Sequence, residues 1–181
     1  MKAASREALA HVESQLDQIL AQDDAIATAA QAGLDLFEVV DVLDADRELR
    51  VALTDAAVPA ANRKSLVQNL FGAKIAPVAT QVIEASAAEQ WSTSRGFVKG
   101  LVSLGRRALL RGAEAQGQLG QVEDELFCLS SILKNEAELT QLLSDRTATS
   151  ARKRGLLASV LYGKVTMFSE ALALQAIGRP E

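Results

Sequence analysis

The sequence is poor in the residues that carry most protein chemistry. Its 181 residues include one Cys, one His, one Trp, one Tyr and three Pro. A single cysteine, Cys128, cannot close an internal disulfide and suits a reducing compartment. One His and one Cys cannot assemble the usual ligand set of a zinc site, and nucleophilic catalysis lacks a base to pair with. His11 falls beside the apolar stripe of a helix and reads as a surface or boundary side chain. Cys128, amid apolar helical residues, reads as an inert core or boundary thiol. No apolar run approaches the roughly 18 residues of a membrane-spanning helix, and Met1 is not followed by a charged segment and apolar core of signal type. The formal net charge of −4 and pI of about 5.2 provide no basic field for nucleic acid or anionic lipid. Neither cofactor nor metal is expected.

What the chain has is helix-forming residues and a repeat. Hydrophobic residues make up 49% and charged residues 23%, with Ala, Leu, Glu, Gln and Arg prominent between few breakers, so an all-α fold is expected. The stretch Leu36–Ile75 aligns without a gap to Leu126–Val165. Leu36, Phe37, Leu43, Glu48, Leu49, Leu53, Asp55, Ala61, Leu66 and Lys74 are identical to the residues ninety positions later. Most of these identities are apolar and helically spaced, so the duplicated object is a packing unit. A tandem of two related helical bundles is expected, residues 1–94 and 95–181, with the helix over 95–115 available to both.

In chain order, Ala8, Leu9, Val12, Leu16, Ile19 and Leu20 form one stripe of a first helix, with Ser5 as its N-cap. Ile26, Leu34, Phe37, Val40 and Leu43 predict a second, longer helix, weakened at Gly33. A third covers Arg47 to Leu53; in the second copy Asn135 and Glu138 suggest a capping arrangement at the same place. Pro59 and Pro77 open the fourth and fifth helices, the fifth reaching Trp91. A sixth runs from Arg95 to Ala115. Residue 181 corresponds to residue 91, so the second copy reaches only its fifth helix, and a sixth would come next.

Gly163-Lys164 lacks the partners of a P-loop: Ala158 and Val165 stand where the first Gly and the Ser or Thr would be. Arg63-Lys64 and Arg152-Lys153-Arg154 read as solvated helix faces, and Glu123-Asp124-Glu125 as acidic residues favouring a helix N-terminus. A helix-turn-helix over 64–84 is the alternative reading, that of a DNA-binding regulator. Its second helix, Pro77 to Ser86, offers only Gln81 to a groove.

Several segments together carry a family resemblance. They are SREAL at the start, Leu-rich helices followed by Ser/Thr-Asp, an Arg/Lys pair leading into a Leu-rich helix, the LFGAKI and LYGKV endings, Gln90-Trp91-Ser92, and VEDELF at Val122–Phe127. The chain resembles the delta subunit of F-type ATP synthase in its long actinobacterial form, related to the mitochondrial oligomycin-sensitivity-conferring protein.

The resemblance implies a non-catalytic stator subunit, peripheral on the cytoplasmic face of the cell membrane as part of the synthase. It implies a six-helix bundle whose first and fifth helices hold the N-terminal helix of an alpha subunit, and a C-terminal region that clasps the peripheral-stalk b subunit. On this sequence the groove falls to Ala8, Leu9, Val12, Val78 and Val82. Ser5-Arg6 departs from the family's Tyr-Ala, Trp91 stands where many relatives have Arg, and the Gly-Gly turn and Gly-Asp strand of the C-terminal region are absent.

Overall fold

The computed structural model describes residues 1–178. Among the described residues there are eleven α-helices. They are α1 (Ala3–Leu20), α2 (Asp23–Ile26), α3 (Ala29–Ala45), α4 (Arg47–Thr54), α5 (Ala60–Phe71), α6 (Pro77–Ala88), α7 (Ser94–Ala115), α8 (Leu119–Asn135), α9 (Ala137–Ser144), α10 (Ser150–Leu161) and α11 (Met167–Gly178). The all-helical expectation holds for these residues. The bounds of α3 to α6 recur ninety residues later as those of α8 to α11, so the register read from forty residues extends to whole elements. The chain divides into two compact units, Met1–Gly112 and the residues from Ala113 onward. The division falls in the last turn of α7.

Unit 1 is built on helical stripes. On α1, Ser5, Ala8, Val12, Leu16 and Leu20 are buried, the three-to-four spacing of one helix face. Val12, Leu16 and Leu20 join a core with Leu36, Val39, Val40 and Leu43 of α3, Leu53 of α4, Val67 and Phe71 of α5, Val82, Ile83 and Ala87 of α6, and Phe97, Leu101 and Leu104 of α7. Burying a side chain of this kind contributes about 1.5–3 kcal/mol, so the core is the main source of stability. Trp91 stands against Phe97 edge-to-face at 5.8 Å, and its indole donates to the Ser86 carbonyl at 2.7 Å.

Unit 2 has a thinner core. Leu143, Leu157, Leu161 and Ala173 are buried, and Leu126, Leu129, Leu133, Leu139, Leu174 and Ile177 pack against them half-covered. Phe168 and Val122 are buried as well. Gly117, at φ 69°, ends α7 in the left-handed conformation that glycine adopts without strain.

Some boundaries differ from expectation. The first helix starts at Ala3, and Ser5 lies inside it, its hydroxyl accepting the Ser92 amide at 2.9 Å. The segment from Asp23 is a separate short helix, with Thr28 hydroxyl donating to the Ala25 carbonyl at 2.8 Å where the chain restarts. Gly33 does not break α3, which continues through it from Ala29 to Ala45. A Cβ there would come within 2.7 Å of Leu109 Cγ and 2.9 Å of the Gly105 carbonyl oxygen, so glycine permits α3 and α7 to approach. Asn135 is the last residue of α8 and caps nothing; Glu136 holds the N-cap position without a side-chain bond. In the first copy Asp46 does cap α4, accepting the Leu49 amide at 3.0 Å. The fifth helix ends at Ala88, short of Trp91.

Candidate functional site

The five residues singled out for partner binding lie on two adjacent helices. α1 and α6 pack against each other in unit 1, and Ala8, Val12, Val78 and Val82 are all buried there. Val12, Val78 and Val82 belong to one core cluster, with Leu9 half-buried against it. The four buried residues are small or β-branched. Along its outer edge Leu9 and Ala85 keep partial exposure, and His11 Nδ1 meets the Glu89 carboxylate just past the end of α6. His11 is exposed and has that carboxylate for a partner; Cys128 is exposed, not a core thiol.

Two buried polar side chains hold α6 in place. At its N-terminus, Asp35 of α3, 6% exposed, accepts the Ala76 amide at 2.8 Å and the Gln31 side-chain amide at 2.9 Å. Near its C-terminus, Arg63 of α5, 5% exposed, donates from Nε to the Ala87 carbonyl at 2.7 Å and from Nη2 to that of Ala88 at 3.4 Å. From Nη1 it reaches the carbonyls of Asp55, at 3.0 Å, and Val58. A carboxylate at the start and a guanidinium at the end both complement the helix dipole. Arg63 is therefore a buried tie and not part of a solvated basic face.

Unit 2 repeats the arrangement with altered residues. Glu125, the counterpart of Asp35, accepts the Thr166 amide at 3.0 Å, the Thr166 hydroxyl at 2.8 Å and the Ser169 hydroxyl at 2.9 Å, at the start of α11. Burial pushes its carboxyl upward, but the three bonds outweigh it and hold the group below the usual carboxylate range. Lys153, the counterpart of Arg63, is likewise buried, and Arg154 Nε donates to the Leu174 carbonyl at 3.2 Å. The basic run 152–154 is thus partly structural. Asp55 and Asp145 make matching turns, accepting the amides of Ala57 at 2.9 Å and Thr147 at 2.8 Å. Sequence reading passed over Asp35, set Arg63 and Lys153 on solvated faces that the structure buries, and set Glu125 at a helix N-terminus, whereas α8 starts at Leu119 and has no acidic residue in its first turn. The available signal was a charge of the same sign at repeat-related positions whose neighbours had diverged.

Within unit 1, Asp17 of α1 receives Arg107 of α7 through Nε at 2.9 Å and Nη2 at 2.6 Å. These bonds from Arg107 keep its carboxyl below the usual range against the upward effect of burial, with Arg111 adding to the lowering. Among the described residues no group of three or more His, Cys, Asp or Glu could hold a metal ion, and no helix is long and apolar enough to cross a membrane.

The titratable groups brought together here cap helices and tie them side by side, and what the surface offers is helix seams and apolar grooves. That is the make-up of an all-helical structural protein. The comparisons give the particular kind. The sequence model of the ATP synthase delta (OSCP) subunit family matches residues 107–174. ATP synthase subunit delta of Corynebacterium aurimucosum is 73% identical over 181 residues, covering 100% of this chain and 67% of the relative. The same subunit of Corynebacterium glutamicum is 62% identical over 181 residues, and that of Corynebacterium diphtheriae 61% over 183, with the same coverage. The chain belongs to the ATP synthase delta (OSCP) subunit family, a family of non-catalytic stator subunits, and spans about two thirds of the length of these relatives. Membership displaces the DNA-binding reading of residues 64–84.

Proposed function

We propose that this chain acts as a stator connector of an F-type ATP synthase, peripheral on the cytoplasmic face of the membrane through its complex, and that its work is to hold other subunits' helices. The observation that carries this reading is the 73% identity to a delta subunit across all 181 residues. The connector is a tandem of two related bundles, and the matching helix bounds support it. Its partners are the N-terminal helix of an alpha subunit and the peripheral-stalk b subunit.

The seam between α1 and α6 is the proposed seat of the alpha-subunit helix. Burial of Ala8, Val12, Val78 and Val82 means that these four set the width of the seam, and a guest touches its outer edge. Small side chains beneath let the guest backbone come close, the geometry of helix-in-groove recognition. Leu9 provides apolar surface for the guest.

A peptide of the alpha subunit's N-terminal helix is titrated calorimetrically into the chain and into Leu9→Asp, with circular dichroism confirming that the variant is folded. Loss of about tenfold or more in affinity is expected from a charge set against an apolar guest. Equal affinity for a folded Leu9→Asp protein removes the seam as the site.

A further inference from the structure

Unit 2 has an open apolar groove of about 880 Å3. Its walls are Leu126, Leu129 and Leu133 of α8, Leu157 of α10, and Leu172 and Ile177 of α11. Their counterparts ninety residues earlier are Leu36, Val39, Leu43, Val67, Val82 and Ala87, every one of them 2% exposed or less. In unit 1 these six share a buried cluster with Phe97, Val98, Leu101 and Leu104 of α7, the helix that follows α6. Of the six in unit 2, only Leu157 reaches that degree of burial. The same wall is filled in one copy and open in the other.

We propose that this groove is the seat of an α7-like amphipathic helix of the kind carried by the third of the relatives' length that this chain does not match. The occupant's chemistry follows from what fills unit 1. Phe97, Leu101 and Leu104 are spaced i, i+4 and i+7, one face over two turns. From Leu126 to Lys134 the α8 wall runs about 12 Å at 1.5 Å per residue, which accommodates those two turns. The lining is apolar apart from Ser130, Lys134, Thr140 and Gln141, so the guest presents an aliphatic or aromatic stripe with a polar or acidic side chain toward Lys134. The length outside the match favours this source over a second copy, whose α7 stripe is already buried in its own unit 1.

The test titrates fluorescein-labelled synthetic peptides, tiling the unmatched third of the C. aurimucosum relative, into the chain and into Ser130→Asp and Ala176→Asp. Both positions line the groove and both are exposed, so neither substitution burdens the core. One amphipathic segment is expected to bind, and to lose about tenfold or more in affinity in each variant. The alpha-subunit peptide serves as control: its binding should be indifferent to Ala176→Asp, so failure of the seam and failure of the groove are separable. The proposal is overturned if no tiled segment binds, or if the binding segment is indifferent to both substitutions. Sedimentation showing a dimer of the chain that Ala176→Asp dissociates would also overturn it, in favour of a second copy.

Discussion

Removing the Arg63 side chain should uncouple the C-terminal end of α6 from the rest of unit 1. The guanidinium reaches the carbonyls of Ala87, Ala88, Asp55 and Val58, while the residue is 5% exposed. A hydrogen bond to a charged group contributes about 1.5–3 kcal/mol, and an orphaned buried acceptor costs about 1–3 kcal/mol. These do not add over four acceptors on one group, and Arg63→Leu also relieves the desolvation of a buried charge, so the net loss is about 3–4 kcal/mol. A domain is stable by about 5–15 kcal/mol, and about 4–8 °C of Tm accompanies each kcal/mol at roughly this size. The unit-1 transition in scanning calorimetry should therefore fall by on the order of 15 °C. Arg63→Lys keeps the charge but offers no fork of donors, and should recover about half of that loss; Lys153 at the repeat-related position shows that an amine fits such a place. An Arg63→Leu protein melting within about 3 °C of wild type would refute the claim that these bonds fasten α6.

Two further expectations concern helix contacts. Gly33→Ala gains about 0.5–1 kcal/mol of helix propensity, yet its Cβ would sit 2.9 Å from the backbone carbonyl oxygen of Gly105, which cannot turn aside as a side chain can. Overpacking of about 1–3 kcal/mol should win, giving net destabilisation, whereas Gly155→Ala in α10, with nothing within 4 Å, should stabilise by about 0.5–1 kcal/mol; urea unfolding that ranks the two the other way contradicts the close-approach account. Glu125→Ala removes the acceptor shared by Thr166 and Ser169 and should cost unit 2 about 1–3 kcal/mol. Because the folded carboxyl titrates below its ordinary value, its contribution is present above the unfolded value and is lost as pH falls through the folded one. The wild type and Glu125→Ala stability curves should therefore separate at neutral pH and converge in acid, and a constant gap down to pH 2 would show that the carboxylate's charge is not involved.

The helices were legible in the sequence because apolar residues recur at helical spacing, and the repeat made the second set of bounds follow from the first. Starts and stops were less legible. Ser5 has the chemistry of an N-cap, but its hydroxyl is used by the Ser92 amide, a partner 87 residues away that no local pattern shows. Gly33 counts against a helix by propensity, and only the neighbouring backbone of α7 explains its presence. Buried charges were invisible for a similar reason: Arg63 lies next to Lys64, which is exposed, and a two-residue basic run does not reveal which member turns inward. The seam residues lie on helices that pack together, and their depth depends on how closely α1 and α6 approach, which no local pattern shows.

The two sets of matching helices separate what such a unit keeps from what it varies. Asp35 corresponds to Glu125 and Arg63 to Lys153, and in each unit a carboxylate receives the amide before the matching helix and a buried cation occupies the matching position. A helix whose terminal groups are drawn inside needs those partners wherever the copy stands. The apolar wall is under a different constraint, since Leu, Val and Ala side chains are held only by what covers them. Val82 and Leu172 occupy equivalent positions, one at 1% exposure and the other partly open. An aliphatic side chain larger than its buried counterpart, kept at an open position, argues that unit 2 is shaped to be covered by another helix.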